Sequence, residues 1–256
     1  MIVDLDIIYA PLLAGLLVIA SHVPLGREVL RRGIIFIDLA VAQVAGLGII
    51  IAQILGSHLP GYGMQILATC SALLCAGFLH WTERHWPEVQ EAIIGVTFVL
   101  AASVSLLVLA NDPHGAEHLQ ELLVGQILWV RFDQLPVVAL IFTTVLLIWL
   151  FAAQFARGVG FYFLFAISIT ISVQLVGIFL VFASLIIPAL AVRSFTQKSA
   201  LGIAYLIGAI AYLSGLLLSV ITDLPAGALI VCALVVIAVM ASMLANTFQI
   251  KQNNKG

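Results

Sequence analysis

The sequence predicts an all-α fold, a polytopic transmembrane helix bundle of about eight or nine spans. Three observations predict it. Of 256 residues, 63% are hydrophobic and only 9% charged, against about 45–50% apolar and roughly 25% charged in soluble domains. Mean hydropathy is +1.22, and apolar runs recur at the ~20-residue length that a helix needs to cross a bilayer. The runs are unbroken, unlike the short alternating segments of an outer-membrane barrel. Such a composition excludes a soluble enzyme, a disordered chain and a nucleic-acid binder, and a formal net charge of −2 gives no pull on anionic partners. No linker divides the chain, so residues 1–256 are read as a single transmembrane domain.

The candidate spans are 5–23, 33–56, 64–80, 92–110, 136–153, 161–177, 178–193, 201–221 and 226–246. The first follows an acidic start, MIVDLD, with no small-residue cleavage site after it, and is read as a retained anchor. PLGREVLRRG (24–33) then reads as a basic loop. The stretch 161–193 is ambiguous: at ~1.5 Å per residue it makes roughly 50 Å, too long for one crossing and short for two. Two tight or broken helices meeting near Gly177 and followed by Pro188 resolve it; a single crossing here would leave eight spans. Ala42 with Gly46, and Ala204 with Gly208, have the small-xxx-small spacing that lets membrane helices approach closely. Cys70, Cys75 and Cys232 lie in apolar runs without CxxC spacing and read as small buried hydrophobes.

The charges support nine crossings. With the first loop inside, Arg27, Arg31, Arg32, Arg84, Arg157, Arg193, Lys198, Lys251 and Lys255 share the cytoplasmic side, and only Arg131 falls outside. That bias places the N-terminus outside and the C-terminus in the cytoplasm. The other side collects Asp4, Asp6, His58, Asp112, His114, Glu117, His118, Glu121, Asp133 and Asp223, read either as solvated loop residues left once the basic ones went inside or as a surface that attracts cations. TDLPAG (222–227) reads as a tight turn there, tied by the Asp223 carboxylate.

Four segments in order resemble the permease family of bacterial ABC transporters for zinc, manganese and iron. They are PLGREVLRRGIIFIDLAVAQVAGLG (24–48); ELLVGQIL (121–128); QFARGVG (154–160) with VQLVGIFLVFASLIIPALAVR (173–193); and GLLLSVITDLPAGALIV (215–231). The resemblance implies an importer permease in the bacterial inner membrane, with no permanently bound cofactor and zinc or manganese as transient substrate. It implies a homodimer working with a cytoplasmic ATP-binding subunit and an extracytoplasmic solute-binding protein. The chain contains no GxxxxGK[ST] phosphate loop, so ATP hydrolysis belongs to another chain and this one is not an enzyme. By the same resemblance Gln154, Phe155, Ala156, Arg157 and Gly158 form the helix that couples to the ATPase. Read from residues alone, that stretch is an interfacial turn capped by glycine.

One departure matters. The family carries an Asp and a His four residues apart on the second span as its metal site; the matching positions here are Leu39 and Gln43. Asp38 lies one residue earlier, about 100° around the helix, and reads either as a pathway group or as a partner of Arg31. Gln43 lies roughly 15 Å into the span, near the midplane. With Gln174, Ser168 and Ser172 it is a candidate pathway lining, while Gln53 lies towards the outer end. In DPHGAEH (112–118), Pro113 suits a first helical position and would place His114 and His118 on one face. With Glu117 they form a candidate entrance metal site, or a solvated loop helix docking a partner.

The substrate therefore reads as a divalent metal, with a metal chelate or a non-metal solute as the alternative. A secondary transporter would need broken-helix repeats and several embedded titratable groups, of which the sequence has almost none apart from Asp38. An intramembrane metalloenzyme ranks last, since the histidine pair lies outside the apolar spans.

Overall fold

The computed structural model describes residues 6–55, 63–110, 112–152, 154, 158–193, 195 and 197–253. Among the described residues ten α-helices follow one another: α1 Asp6–Arg32, α2 Ile37–Leu55, α3 Gly63–His85, α4 Gln90–Leu109, α5 Gly115–Val124, α6 Leu135–Phe151, α7 Gly160–Val176, α8 Ile178–Ala191, α9 Gln197–Thr222 and α10 Ala226–Asn253. Short 3-10 turns at Pro87–Val89 and Ile127–Trp129 lead into α4 and towards α6. Among the described residues, five helical segments are long and apolar enough to cross a membrane, and α2, α6, α7 and α8 supply four shorter apolar helices. These nine correspond to the nine apolar segments of the sequence, and α5 is an additional short helix.

The helices form two interlocked groups. α2 packs against α3 and α4, and α7 lies across α2 and α3; α1 packs against α8, α9 and α6, while α10 rests on α8 and α9. Gly208 gives α9 its close seat on α1, since a Cβ there would come within 2.6 Å of Ile19 Cδ1. Inside the second group Ser184 on α8 and Tyr212 on α9, both fully buried, share a 2.9 Å hydrogen bond. In the first group, Thr82 donates to Gln90 Oε1 at 2.9 Å and Gln90 Nε2 donates to the Leu79 carbonyl at 2.9 Å. Both pairs satisfy polar groups that would otherwise be costly in a water-free interior.

The structure corrects the reading of 24–33. α1 runs through Pro24 to Arg32, with Pro11 and Pro24 inside it. Its 27 residues span ~40 Å, against a ~30 Å hydrocarbon core. The helix survives its prolines because membrane neighbours tolerate the lost backbone bond, and because Glu28 grips both Arg31 and Arg32 at i,i+3 and i,i+4. Gly33, at φ +73°, then ends the helix, its N–H donating to Val29 O at 3.1 Å.

The stretch 161–193 is two helices, as its length required. α7 ends where Gly177 takes φ +80°, and α8 starts immediately after it. At 17 and 14 residues they are ~25 Å and ~21 Å long, so their apex does not reach the far surface. Gly125, just after α5, fills that space and packs its backbone on Val176 and Gly177.

Arg27, Arg31, Arg32, Arg84 and Arg193 fall at one end of the bundle and Arg131 at the other, as helix order dictates. Phe155, Ala156, Arg157, His58, Asp4 and Lys255 lie outside the described residues. Two smaller expectations need correction. Cys70 and Cys232 are exposed on helix faces, and only Cys75 is buried. Asp223 adopts φ +55°, and the turn is tied by Ser219: its carbonyl accepts the Asp223 N–H at 2.9 Å and its hydroxyl donates to Leu224 O at 2.6 Å.

Candidate substrate pathway and coupling site

At the acidic end, α2, α3, α5 and α7 line an open cavity of about 350 Å³. Helical periodicity and the Gly177 break bring its polar lining together from distant parts of the chain: Gln53, Gln65, His118, Glu121, Gln126 and Gln174. Gln65 Nε2 donates to Gln174 Oε1 at 2.5 Å, linking α3 to α7. Gln126 Nε2 donates to Glu121 Oε1 at 2.7 Å, which fixes the carboxylate at the cavity edge. Four carboxamides, one imidazole and one carboxylate give a lining rich in hydrogen-bonding groups and poor in charge. In an apolar bundle such groups face water, a cargo or another protein surface, since lipid cannot satisfy them.

The sequence-selected pathway residues divide. Gln174 lines the cavity. Gln43 is buried, 2% exposed, and lies ten residues from Gln53 along α2, or ~15 Å. Ser168 and Ser172 are buried on α7, where the Ser172 hydroxyl is taken up by the Ser168 carbonyl at 2.8 Å. Asp38 sits at the opposite end of α2, 1% exposed, and neither carboxylate oxygen has a hydrogen-bond partner. The pairing of Asp38 with Arg31 is therefore corrected: Arg31 is bound to Glu28, with Nε–Oε2 at 2.8 Å. Near Asp38, Glu91 Oε1 accepts the Phe36 N–H at 3.3 Å.

The loop histidines do not converge. α5 begins at Gly115, two residues later than Pro113 promised, because Asp112 Oδ1 accepts the His114 N–H at 2.9 Å. His114 Nδ1 then meets Glu117 Oε2 at 3.2 Å, while His118 Nδ1 lies 3.4 Å from Asp112 Oδ2. Among the described residues, no group of three or more His, Cys, Asp or Glu side chains is placed to hold a metal ion. Gln154 and Gly158 are exposed between α6 and α7 at the arginine end.

Two buried groups escaped the sequence reading. His22, on α1, is fully buried; Nδ1 lies 3.0 Å from Ser21 Oγ and Nε2 has no partner. Glu28 is 6% exposed and anchors both arginines. Both are polar groups within a helix of membrane length; treating Pro24 as a loop start concealed Glu28, whereas His22 lay inside the span 5–23 and was passed over.

The model of the ABC 3 transport family matches residues 4–245. The chain belongs to the ABC 3 transport family. As a member it is a multi-pass transport protein. Among solved structures it is similar to one described as PsaBC from Streptococcus pneumoniae in complex with Fab. The TM-score is 0.71 at 20% identity, covering 94% of this chain and 91% of that one. The two share the fold of an ABC 3 family bundle.

Proposed function

We propose that this chain is the permease subunit of an ABC importer in the bacterial inner membrane, working as a homodimer on a divalent metal, zinc or manganese. The observation that carries this reading is the family match across residues 4–245. The absence of a phosphate loop supports a separate ATPase chain. The arginine-rich end faces the cytoplasm, with the N-terminus outside and the C-terminus inside, in keeping with the positive-inside bias.

In this account closure of the ATPase pair pushes the 154–158 segment, where Gln154, Phe155, Ala156, Arg157 and Gly158 make the contact. The push passes into α6 and α7, the helices on either side. Because α7 and α8 meet Gly125 at an apex, displacement of α7 moves one wall of the polar cavity. Cargo delivered by a solute-binding protein enters at His114, Glu117 and His118. It passes Gln174 and then Gln43 and leaves past Asp38. The four sequence motifs shared with zinc, manganese and iron permeases support a metal cargo.

The test is co-expression with candidate ATP-binding subunits from the same genome. A cysteine at Gln154 should cross-link to one of them, and Phe155→Ala should weaken co-purification. A permease that never associates with an ATPase contradicts the reading.

A further inference from the structure

We infer that the cavity between α2, α3, α5 and α7 binds its cation with a ligand shell already around it, waters or a chelator, through hydrogen bonds to that shell. This rests on the permease reading and deepens it. A bare transition ion needs inner-sphere donors: Zn²⁺ takes at least three protein ligands from Cys, His, Asp or Glu even in its open sites. Among the described residues no such group of three exists. The cavity lining offers one imidazole, His118, and one carboxylate, Glu121, one ligand short of that minimum.

The amide pair is more informative. A carboxamide offers two N–H donors and one carbonyl acceptor. When Gln65 and Gln174 bond to each other, one amide nitrogen and one amide oxygen are used. The pair is left with a free carbonyl on one side and a free NH₂ on the other, whichever way the two amides are assigned. A carbonyl suits a bare cation, whereas an NH₂ repels it. A donor and an acceptor flanking one amide–amide bond instead complement a ligand shell, whose oxygens accept and whose O–H or N–H groups donate. The size agrees: six waters at ~30 Å³ each occupy roughly 180 Å³, well within about 350 Å³.

The full-length permease in lipid nanodiscs is titrated with ZnCl₂, with MnCl₂ and with the zinc complex of two L-histidines, by calorimetry. Zinc K-edge absorption then reads the bound ion's shell. An intact histidine shell identifies a chelate as cargo, and an all-oxygen, six-coordinate shell identifies the hydrated ion; either supports the inference. Gln174→Leu and Gln65→Leu should each weaken binding about tenfold, the effect of one lost hydrogen bond of ordinary strength. Gln174→Glu, which replaces the amide with a carboxylate, should shift preference towards the bare ion. Zinc held directly by protein nitrogen and carboxylate, unchanged affinity in both leucine variants, or no binding of any probe would overturn the inference. ATP-dependent uptake with a separate ATPase is scored independently, so direct ligation alongside such uptake removes this inference and leaves the permease reading standing.

Discussion

Gly125 and Gly177 meet backbone to backbone, with φ of +73° and +80°. A Cβ on Gly177 would lie 2.6 Å from the Val124 carbonyl carbon and 2.7 Å from Gly125 Cα. Neither neighbour is the end of a flexible side chain that could move aside. The contact closes the space above the α7–α8 apex and sets the position of Gln126 and Gln174 at the cavity.

Gly177→Ala should therefore destabilise the bundle. At φ +80° and ψ +163° the backbone lies in a region open essentially only to glycine, which costs another residue about 1–3 kcal/mol, and the backbone clash adds to it. Gly125→Ala should behave alike, since its Cβ would strike Val176 and Gly177. Thermal unfolding in detergent checks both; an unchanged midpoint would show that the two segments are not in contact.

Removing the Glu28 carboxylate should loosen the end of α1. Glu28→Ala breaks bonds of 2.8 and 2.9 Å to Arg31 and Arg32, and bonds to charged groups are worth about 1.5–3 kcal/mol. Most of the loss belongs to Arg32, whose side chain is 14% exposed, against 64% for Arg31. Arg31→Ala should accordingly cost less than about 1 kcal/mol. Comparing the unfolding of the two variants tests this ordering.

Asp38→Asn should leave the fold at least as stable as the parent, because a buried carboxylate without partners contributes desolvation cost and no bonds. Uptake should fall, since the proposed exit route loses its acidic group. A drop in stability of more than about 1 kcal/mol would mean that the carboxylate has a structural partner.

Asp223→Gly should stabilise the α9–α10 turn by up to about 1 kcal/mol, glycine taking φ +55° without the steric cost. Asp223→Val should do the reverse, by a similar amount. The pair of midpoints, taken together, checks the sign.

Much of this architecture was legible in the sequence. Apolar length alone marked the nine helices, and the 33 residues of 161–193 demanded a break that Gly177 provides. Pro24 misled, because a proline that ends a soluble helix is tolerated in a membrane one, and Glu28 was hidden with it. Residue types pointed to Gln174 and His118, but only the fold places Gln65, Gln126 and Glu121 beside them. Such convergence of α2, α3, α5 and α7 is set by packing between distant segments, which local periodicity does not carry. The Asp112 side chain likewise reset the start of α5 and turned the two histidines to different partners.

Uptake into sealed vesicles separates an ATPase-driven permease from a carrier that works alone. Purified permease is reconstituted with or without its ATPase, and entry of radioactive zinc or manganese is followed with ATP on the side that the arginine-rich end faces. The account requires uptake that depends on both ATPase and ATP and is lost when ATP is replaced by a non-hydrolysable analogue. Full uptake by the permease alone would contradict it.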